Sequence, residues 1–237
     1  MFFDPLYLII MAPALIFMIY AQIKVKSTYS KYSKVYNQRG ITGAQAATQA
    51  LRSNGLANVP VETVQGKLTD HYDPTKKVLR LSPEVAGTPS VAAIGIALHE
   101  VGHAVQHQTK YAFMGVRSAL VPAANIGSTL GWIFIFIGIL LMGLSKAFTD
   151  FGSLIAMAGI LLFAAAVLFT LVTLPVEFNA SNRARQMIKE SGLLVGAEYD
   201  GASAVLSAAA LTYVAAMLQA VAQLLYFVLI IFGGRRD

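Results

Sequence analysis

Two histidines and a glutamate in the stretch His99-Glu100-Val101-Gly102-His103 have the types and spacing needed for metal-dependent hydrolysis. Residues four apart lie on one face of a helix, so both imidazoles can bind one metal ion. The carboxylate beside the first histidine can then accept a proton from a metal-activated water. This HExxH pattern binds zinc in many peptidases. It predicts one Zn²⁺ per chain, bound by His99 and His103, with Glu100 as the general base.

A single helix must carry these three side chains, and residues 90–108 (SVAAIGIALHEVGHAVQHQ) have the composition for it. The segment is apolar and rich in alanine, so the helix face opposite the metal-binding side chains can be buried. Thr88 or Ser90 is a suitable N-cap. A core helix with incidentally placed histidines is the alternative reading of this segment.

The rest of the composition indicates a membrane protein. The chain has 237 residues, of which 56% are hydrophobic and 13% charged, and it has no cysteine. Disulfides and thiolate ligands are therefore excluded. Apolar segments at 6–23, 119–143, 151–174 and 204–232 are each long enough to span a bilayer as a helix.

The formal charge of +6 does not require a nucleic-acid partner, because basic residues cluster directly after the first apolar segment. They are Lys24, Lys26, Lys31, Lys34 and Arg39. By the positive-inside rule the chain enters the cytoplasm after residue 23. Segments two and three then form a hairpin, which places the polar segments 24–117 and 176–202 on the same cytoplasmic side.

The polar segment 24–117 is expected to form a small α+β unit at the membrane face. It contains a helix at 42–52, strands at 59–64 and 78–81, a turn-rich loop at 66–74, and the helix 90–108. The expected fold is therefore a mainly α membrane protein with about four transmembrane helices and this zinc peptidase unit. Residues 78–82 either pair with an extended substrate as an edge strand or form an ordinary strand of the sheet, and both alternatives stay open.

A catalytic zinc needs a third protein ligand and an open position. Glu177 is the first choice, since it follows the third span directly on the cytoplasmic side. His107 lies one turn beyond His103, but three histidines spaced over about 12 Å of helix axis cannot easily converge on one ion. His107 is therefore expected to hydrogen-bond a ligand, contact substrate, or cap the helix end. Glu190 and Glu198 are weaker ligand candidates.

A donor for the oxyanion is also needed, and the sequence leaves several candidates open. They are His71, Tyr72, Arg183 and Tyr213. Two other functions also stay open, a zinc-binding membrane scaffold or adaptor without proteolytic activity, and a metal transporter. The absence of Asp, Glu, Lys, Arg and His from 119–143 and 151–174 counts against the transporter.

Several stretches together resemble one family. They are 66–74 (GKLTDHYDP), 78–83 (VLRLSP), 90–106 (SVAAIGIALHEVGHAVQ), 174–184 (LPVEFNASNRA) and 208–215 (AAALTYVA). The chain resembles the bacterial membrane-embedded neutral zinc metallopeptidases of the YugP type, which are distantly similar to the gluzincins of the HtpX and CAAX-protease group.

The resemblance implies a gluzincin-like peptidase in the bacterial plasma (inner) membrane, acting on peptides or membrane proteins. It implies Glu177 as the third ligand. In the wider group an aspartate four residues after that glutamate orients a zinc-bound histidine, and Ser181 stands at this position here. The partner of that histidine is therefore a weaker one here or comes from elsewhere, with Asn182 as a candidate, and the residue that orients the zinc-bound histidines stays open.

Overall fold

A computed structural model describes residues 4–233 of the chain, and most of them are helical. The helices are α1 (Pro5–Tyr32), α2 (Gly43–Ser53), α3 (Pro83–Gly87), α4 (Val91–Gln108), α5 (Ala112–Leu144), α6 (Thr149–Ser191) and α7 (Ala197–Gly233). The strands are β1 (Val61–Thr63), β2 (His71–Asp73) and β3 (Val78–Leu81). Within the described residues, α1, α5, α6 and α7 are long and apolar enough to cross a membrane. The structure is thus a mainly α membrane protein with a small α+β part, as the sequence predicts.

The described residues divide into two compact units. The apolar unit contains residues 4–20, 115–174 and 213–233, and the mixed unit contains residues 21–114 and 175–212. Aromatic rings form much of the core of the apolar unit. Phe227 lies edge-to-face with Trp132 at 4.8 Å and with Phe163 at 5.8 Å between ring centroids. Such pairs add to the burial energy of each ring.

The mixed unit contains the three-stranded sheet, in the order β1-β3-β2. Strand β1 is parallel to β3, and β2 is antiparallel to β3. Strand β2 lies inside the segment 66–74 that was expected to be a loop. A tight turn makes the hairpin possible: the Asp73 carboxylate accepts the N–H groups of Thr75 and Lys76 at 3.0 Å. Lys77 then adopts a positive φ of 51° and returns the chain into β3.

The position of β3 decides between the two alternatives left open for this strand. Because β3 pairs with β1 on one side and β2 on the other, its backbone groups are used within the sheet. A substrate cannot pair with residues 78–81, so the structure excludes the substrate-pairing alternative and supports the ordinary sheet strand. The free edges of the sheet are those of β1 and β2.

Helix α4 lies at the core of the mixed unit, and its N-terminus is capped by Ser90, whose Oγ accepts the Ala93 N–H at 3.1 Å. The helix approaches α6 very closely at Gly102. A Cβ at this position would lie 2.6 Å from the carbonyl oxygen of Ala180. Only glycine permits this contact, which brings one face of α4 within side-chain reach of α6.

Helix α6 differs from the expected pattern, because it continues through Pro175 from Thr149 to Ser191. The sequence suggested that one span closes at Pro175 and a new helix opens near Glu177. A proline removes a single N–H donor from the helix, and membrane proteins tolerate this loss. The third apolar segment and the Glu177 segment therefore belong to one helix. Helices α5 and α7 likewise begin earlier than the apolar segments 119–143 and 204–232.

Candidate metal centre

His99, His103 and Glu177 lie together in the mixed unit, with the histidines on α4 and the glutamate on α6. The Oε2 atom of Glu177 is 3.2 Å from Nε2 of His99 and 3.5 Å from Nε2 of His103. One potential ligand atom from each residue lies within 4.8 Å of the other two. The rings of the two histidines are nearly perpendicular, with 4.8 Å between their centroids. Both Nε2 atoms therefore face the same carboxylate oxygen, Oε2 of Glu177.

The centre is shielded from solvent, and this governs its electrostatics. Glu177 is only 3% exposed. Burial acts to raise the pKa of Glu177, but hydrogen bonds from His103 and His99 outweigh it and hold the pKa well below its usual range. Burial likewise acts to lower the pKa of His103, yet the contact with Glu177 and the charge of Glu100 raise it above its ordinary value. The glutamate is therefore a carboxylate, the form that binds a cation.

The second ring nitrogen of His103 contacts Gln106, which follows it by about one turn on the same helix. Nδ1 of His103 is 3.0 Å from Oε1 of Gln106. The side-chain Nε2 of Gln106 donates to the carbonyl of Val176 at 2.7 Å and to Oδ1 of Asn179 at 3.0 Å. Gln106 therefore connects a candidate ligand on α4 with the segment of α6 that carries Glu177.

The second ring nitrogen of His99 contacts Ser181 instead. Oγ of Ser181 is 3.1 Å from Nδ1 of His99. Ser181 lies one turn after Glu177 on α6 and is buried. Asn182, the other residue considered for this role, is exposed and accepts from Arg185 at 2.9 Å.

Glu100 is buried between α4 and the sheet, and β2 holds it in place. The backbone N–H of Tyr72 donates to Oε2 of Glu100 at 3.1 Å. The outer edge of β2 therefore faces the carboxylate next to the metal centre. The Tyr72 hydroxyl contacts Nδ1 of His107 at 2.9 Å, so a second bond also ties β2 to α4.

The remaining predicted residues have other contacts. His71 contacts the Thr69 carbonyl through Nδ1, and Arg183 donates from Nε to Asn179. Glu190 accepts from Gln186, and Glu198 accepts the Gln38 N–H. Tyr213 belongs to the apolar unit.

Sequence reasoning did not include Gln106. The signal was nevertheless present, because Gln106 follows the second histidine by three residues, directly after Ala104 and Val105. A long amide on a buried helix face needs partners for both its donor and its acceptor.

The donor set fits zinc. Two imidazole nitrogens and one carboxylate oxygen are the ligands of one common class of catalytic zinc sites. Both histidines have the Nδ1 atom engaged and the Nε2 atom directed at Glu177, the arrangement that hydrogen-bonding partners impose on zinc-binding histidines. A carboxylate that can accept protons, Glu100, follows the first of them.

Comparison with known proteins agrees with this class of site. The family described as "Putative neutral zinc metallopeptidase" matches residues 7–232. The chain belongs to this family. It is 48% identical over 232 residues to the "Putative membrane protease YugP" of Bacillus subtilis (strain 168), covering 98% of this chain and 99% of that protein. No solved structure matches the chain.

Proposed function

We propose that this protein is a membrane-bound zinc metalloendopeptidase of the gluzincin type, with one zinc per chain held by His99, His103 and Glu177. The observation that carries the proposal is the convergence of the two Nε2 atoms on one buried carboxylate oxygen, with Glu100 beside them. The peptidase family supports the same reaction. The substrates would be peptide bonds of membrane or membrane-proximal proteins.

The bound zinc would supply a Lewis acid that lowers the pKa of water toward neutrality. Glu100 then acts as the general base. One of its carboxylate oxygens is fixed by the Tyr72 N–H, which leaves the other to take the proton of the attacking water. The water oxygen bonds to the carbonyl carbon, the C–N bond breaks, and Glu100 returns the proton to the leaving amine nitrogen.

The substrate is proposed to approach along β2 rather than β3. Strand β2 is an edge strand, and the Tyr72 N–H shows that its outer edge faces Glu100. An extended peptide laid along this edge would present its backbone beside the general base. The bond between the Tyr72 hydroxyl and His107 would keep that edge against α4.

The active site is proposed to face the cytoplasm from the bacterial plasma membrane. The basic residues after the first span, together with the positive-inside rule, support this orientation. The chain has no cysteine, so a cysteine introduced at the exposed Lys34 would be the only thiol to label. A membrane-impermeant thiol reagent should leave Lys34→Cys unlabelled in intact cells and label it after permeabilisation. Labelling of Lys34→Cys in intact cells would show the opposite orientation, with this segment outside the cytoplasm.

A zinc-binding scaffold is the competing function, and the ligand count argues against it. Structural zinc usually has four protein ligands. The cluster that brings candidate ligands together in residues 4–233 has three members, which leaves a position for water.

The experiment that tests the function compares membrane proteomes of cells that carry the wild type or Glu100→Gln. Uncleaved substrates should accumulate, and their cleavage products should disappear, in the variant. Glu190→Gln is the matched control, because Glu190 is exposed and bonds only Gln186 among its described contacts. Identical peptide termini in wild-type and Glu100→Gln membranes would contradict proteolysis.

A further inference from the structure

We infer that Gln106, Asn179 and Arg183 form a hydrogen-bonded chain that positions His103 for zinc by fixing the proton of its imidazole on Nδ1. The inference concerns positioning residues, not residues that touch the reacting atoms. It rests on the proposed zinc site and is independent of the proposed hydrolysis.

The amide of Gln106 can face His103 in only one way. A backbone carbonyl accepts hydrogen bonds and never donates them. Since the carbonyl of Val176 lies 2.7 Å from the side chain of Gln106, the amide nitrogen must be on that side. The amide oxygen Oε1 is then the atom 3.0 Å from Nδ1 of His103. Gln106 has no exposed surface, so water does not compete for either end.

The next link is fixed by the same reasoning. Nε of Arg183 can only donate, and it lies 2.8 Å from Asn179. Oδ1 of Asn179 therefore accepts from Arg183 and also accepts from the Gln106 amide at 3.0 Å. The Arg183 guanidinium is always charged and can only donate, so it fixes Oδ1 of Asn179 as the acceptor of both bonds, one from Arg183 and one from Gln106.

The direction of the chain decides where the His103 proton lies when zinc is bound. Oε1 of Gln106 is an acceptor, so Nδ1 of His103 must donate to it. The lone pair of Nε2, the atom that faces Glu177, is then available for a metal. The bond from His103 to Gln106 and the bond from Gln106 to Asn179 run head to tail, so these two bonds polarise each other.

The test is zinc affinity of the full-length protein in detergent, measured by competition with a chelating dye. Gln106→Met preserves side-chain length and removes both hydrogen-bonding ends. It should weaken zinc binding about 10- to 100-fold, the usual cost of losing a partner of a ligand histidine. Gln108→Met is the matched control on the same helix, because Gln108 is exposed, and its affinity should equal that of the wild type.

A second pair of variants separates the chain from general packing. Asn179→Asp keeps an oxygen that accepts from both neighbours and should retain wild-type zinc affinity. Asn179→Leu removes the acceptor and should lower the zinc affinity several-fold. Because Asn179 acts through Gln106, adding Asn179→Leu to Gln106→Met should cause no further loss. If Asn179→Leu lowered the zinc affinity equally in the wild-type and the Gln106→Met backgrounds, the proposed hydrogen-bonded chain would be overturned.

A spectroscopic readout tests the proton directly, since the chain contains only four histidines. In zinc-loaded protein labelled with ¹⁵N-histidine, the hydrogen-bonded Nδ1–H of His103 should give a downfield imidazole proton signal. The signal should persist in Asn179→Asp and be lost in Gln106→Met. Its absence from the zinc-loaded wild type, or its survival in Gln106→Met, would overturn the inference. A wild type that binds no zinc would instead overturn the proposed metal centre.

Discussion

His99 and His103 present the same atom to Glu177, but their surroundings differ. Ser181, the partner of His99, has a hydroxyl that can rotate to donate or accept. Gln106, the partner of His103, is fixed by a carbonyl and by the chain that ends at Arg183. His99 is thus oriented by a hydrogen bond whose donor and acceptor can exchange. His103 is oriented by a hydrogen bond whose donor and acceptor are fixed. Of the two candidate ligands, His103 therefore has the more firmly fixed hydrogen-bonding partner.

Glu177→Gln should have the largest effect, because both histidines depend on this carboxylate. The substitution preserves the shape of the side chain and removes the negative charge that would bind the cation. Zinc affinity should fall by more than the 10- to 100-fold that is typical of losing a ligand's hydrogen-bonding partner. Elemental analysis after dialysis would measure the loss, with Glu190→Gln as the control. Unchanged zinc content in Glu177→Gln would remove Glu177 from the centre.

Gly102→Ala should come next, since it acts on both histidines through the backbone. The added Cβ would meet the Ala180 carbonyl at 2.6 Å, so α4 must move away from α6. Overpacking of this kind costs about 1–3 kcal/mol in the free energy of unfolding. Thermal unfolding and zinc titration should both show the change. The control is Gly87→Ala, where a Cβ would have nothing within 4 Å. Equal stability of the two variants would show that the contact has no importance.

Ser181→Ala addresses the difference between the two histidines directly. It removes the contact with His99 and leaves that of His103 intact. Because a single hydroxyl is lost and no fixed chain is broken, zinc affinity should fall only a few-fold, less than in Gln106→Met. Competition titrations of the two variants in parallel would compare them. A larger loss in Ser181→Ala would reverse the proposed ranking.

The pH dependence of the zinc-free protein should show the smallest effect. Since the folded-state pKa of His103 is raised above 6.5, its contribution to stability is fully present below pH 6.5 and is lost as pH rises through the raised pKa. The Tm of chelator-treated protein should therefore fall as the pH rises from about 6.5 through the raised pKa of His103. Glu177→Gln, which lacks the partner charge, should show a smaller fall. Parallel curves would exclude the His103–Glu177 pair as the cause.

The sequence was sufficient for the parts of the site that follow a local rule. The spacing of His99 and His103 predicts their common helix face, and the choice of Glu177 as the third candidate ligand agrees with the cluster that the three side chains form. The pairing of β2 with β3 was missed, because strands of three or four residues depend on long-range pairing more than on local pattern. The continuation of α6 through Pro175 was missed because a proline usually marks a boundary in sequence.

The role of Gln106 depends on tertiary structure in a different way. Its partners Val176 and Asn179 are about 70 positions away in sequence. Periodicity indicates that Gln106 is buried, but it cannot show which groups complete its hydrogen bonds. The hydrogen bonds from Gln106 to α6 can be identified only from the packing of α4 against α6 in the structure.

The central claim is that Glu100 is a base beside a zinc ion that it does not help to hold. Zinc content and cleavage of a fluorescently labelled unfolded protein should be measured on the same preparations of wild type and Glu100→Gln. We expect one zinc per chain in both, with the cleavage rate per zinc lower in the variant by about 10²- to 10⁴-fold. Cleavage at the wild-type rate by zinc-loaded Glu100→Gln would contradict the account.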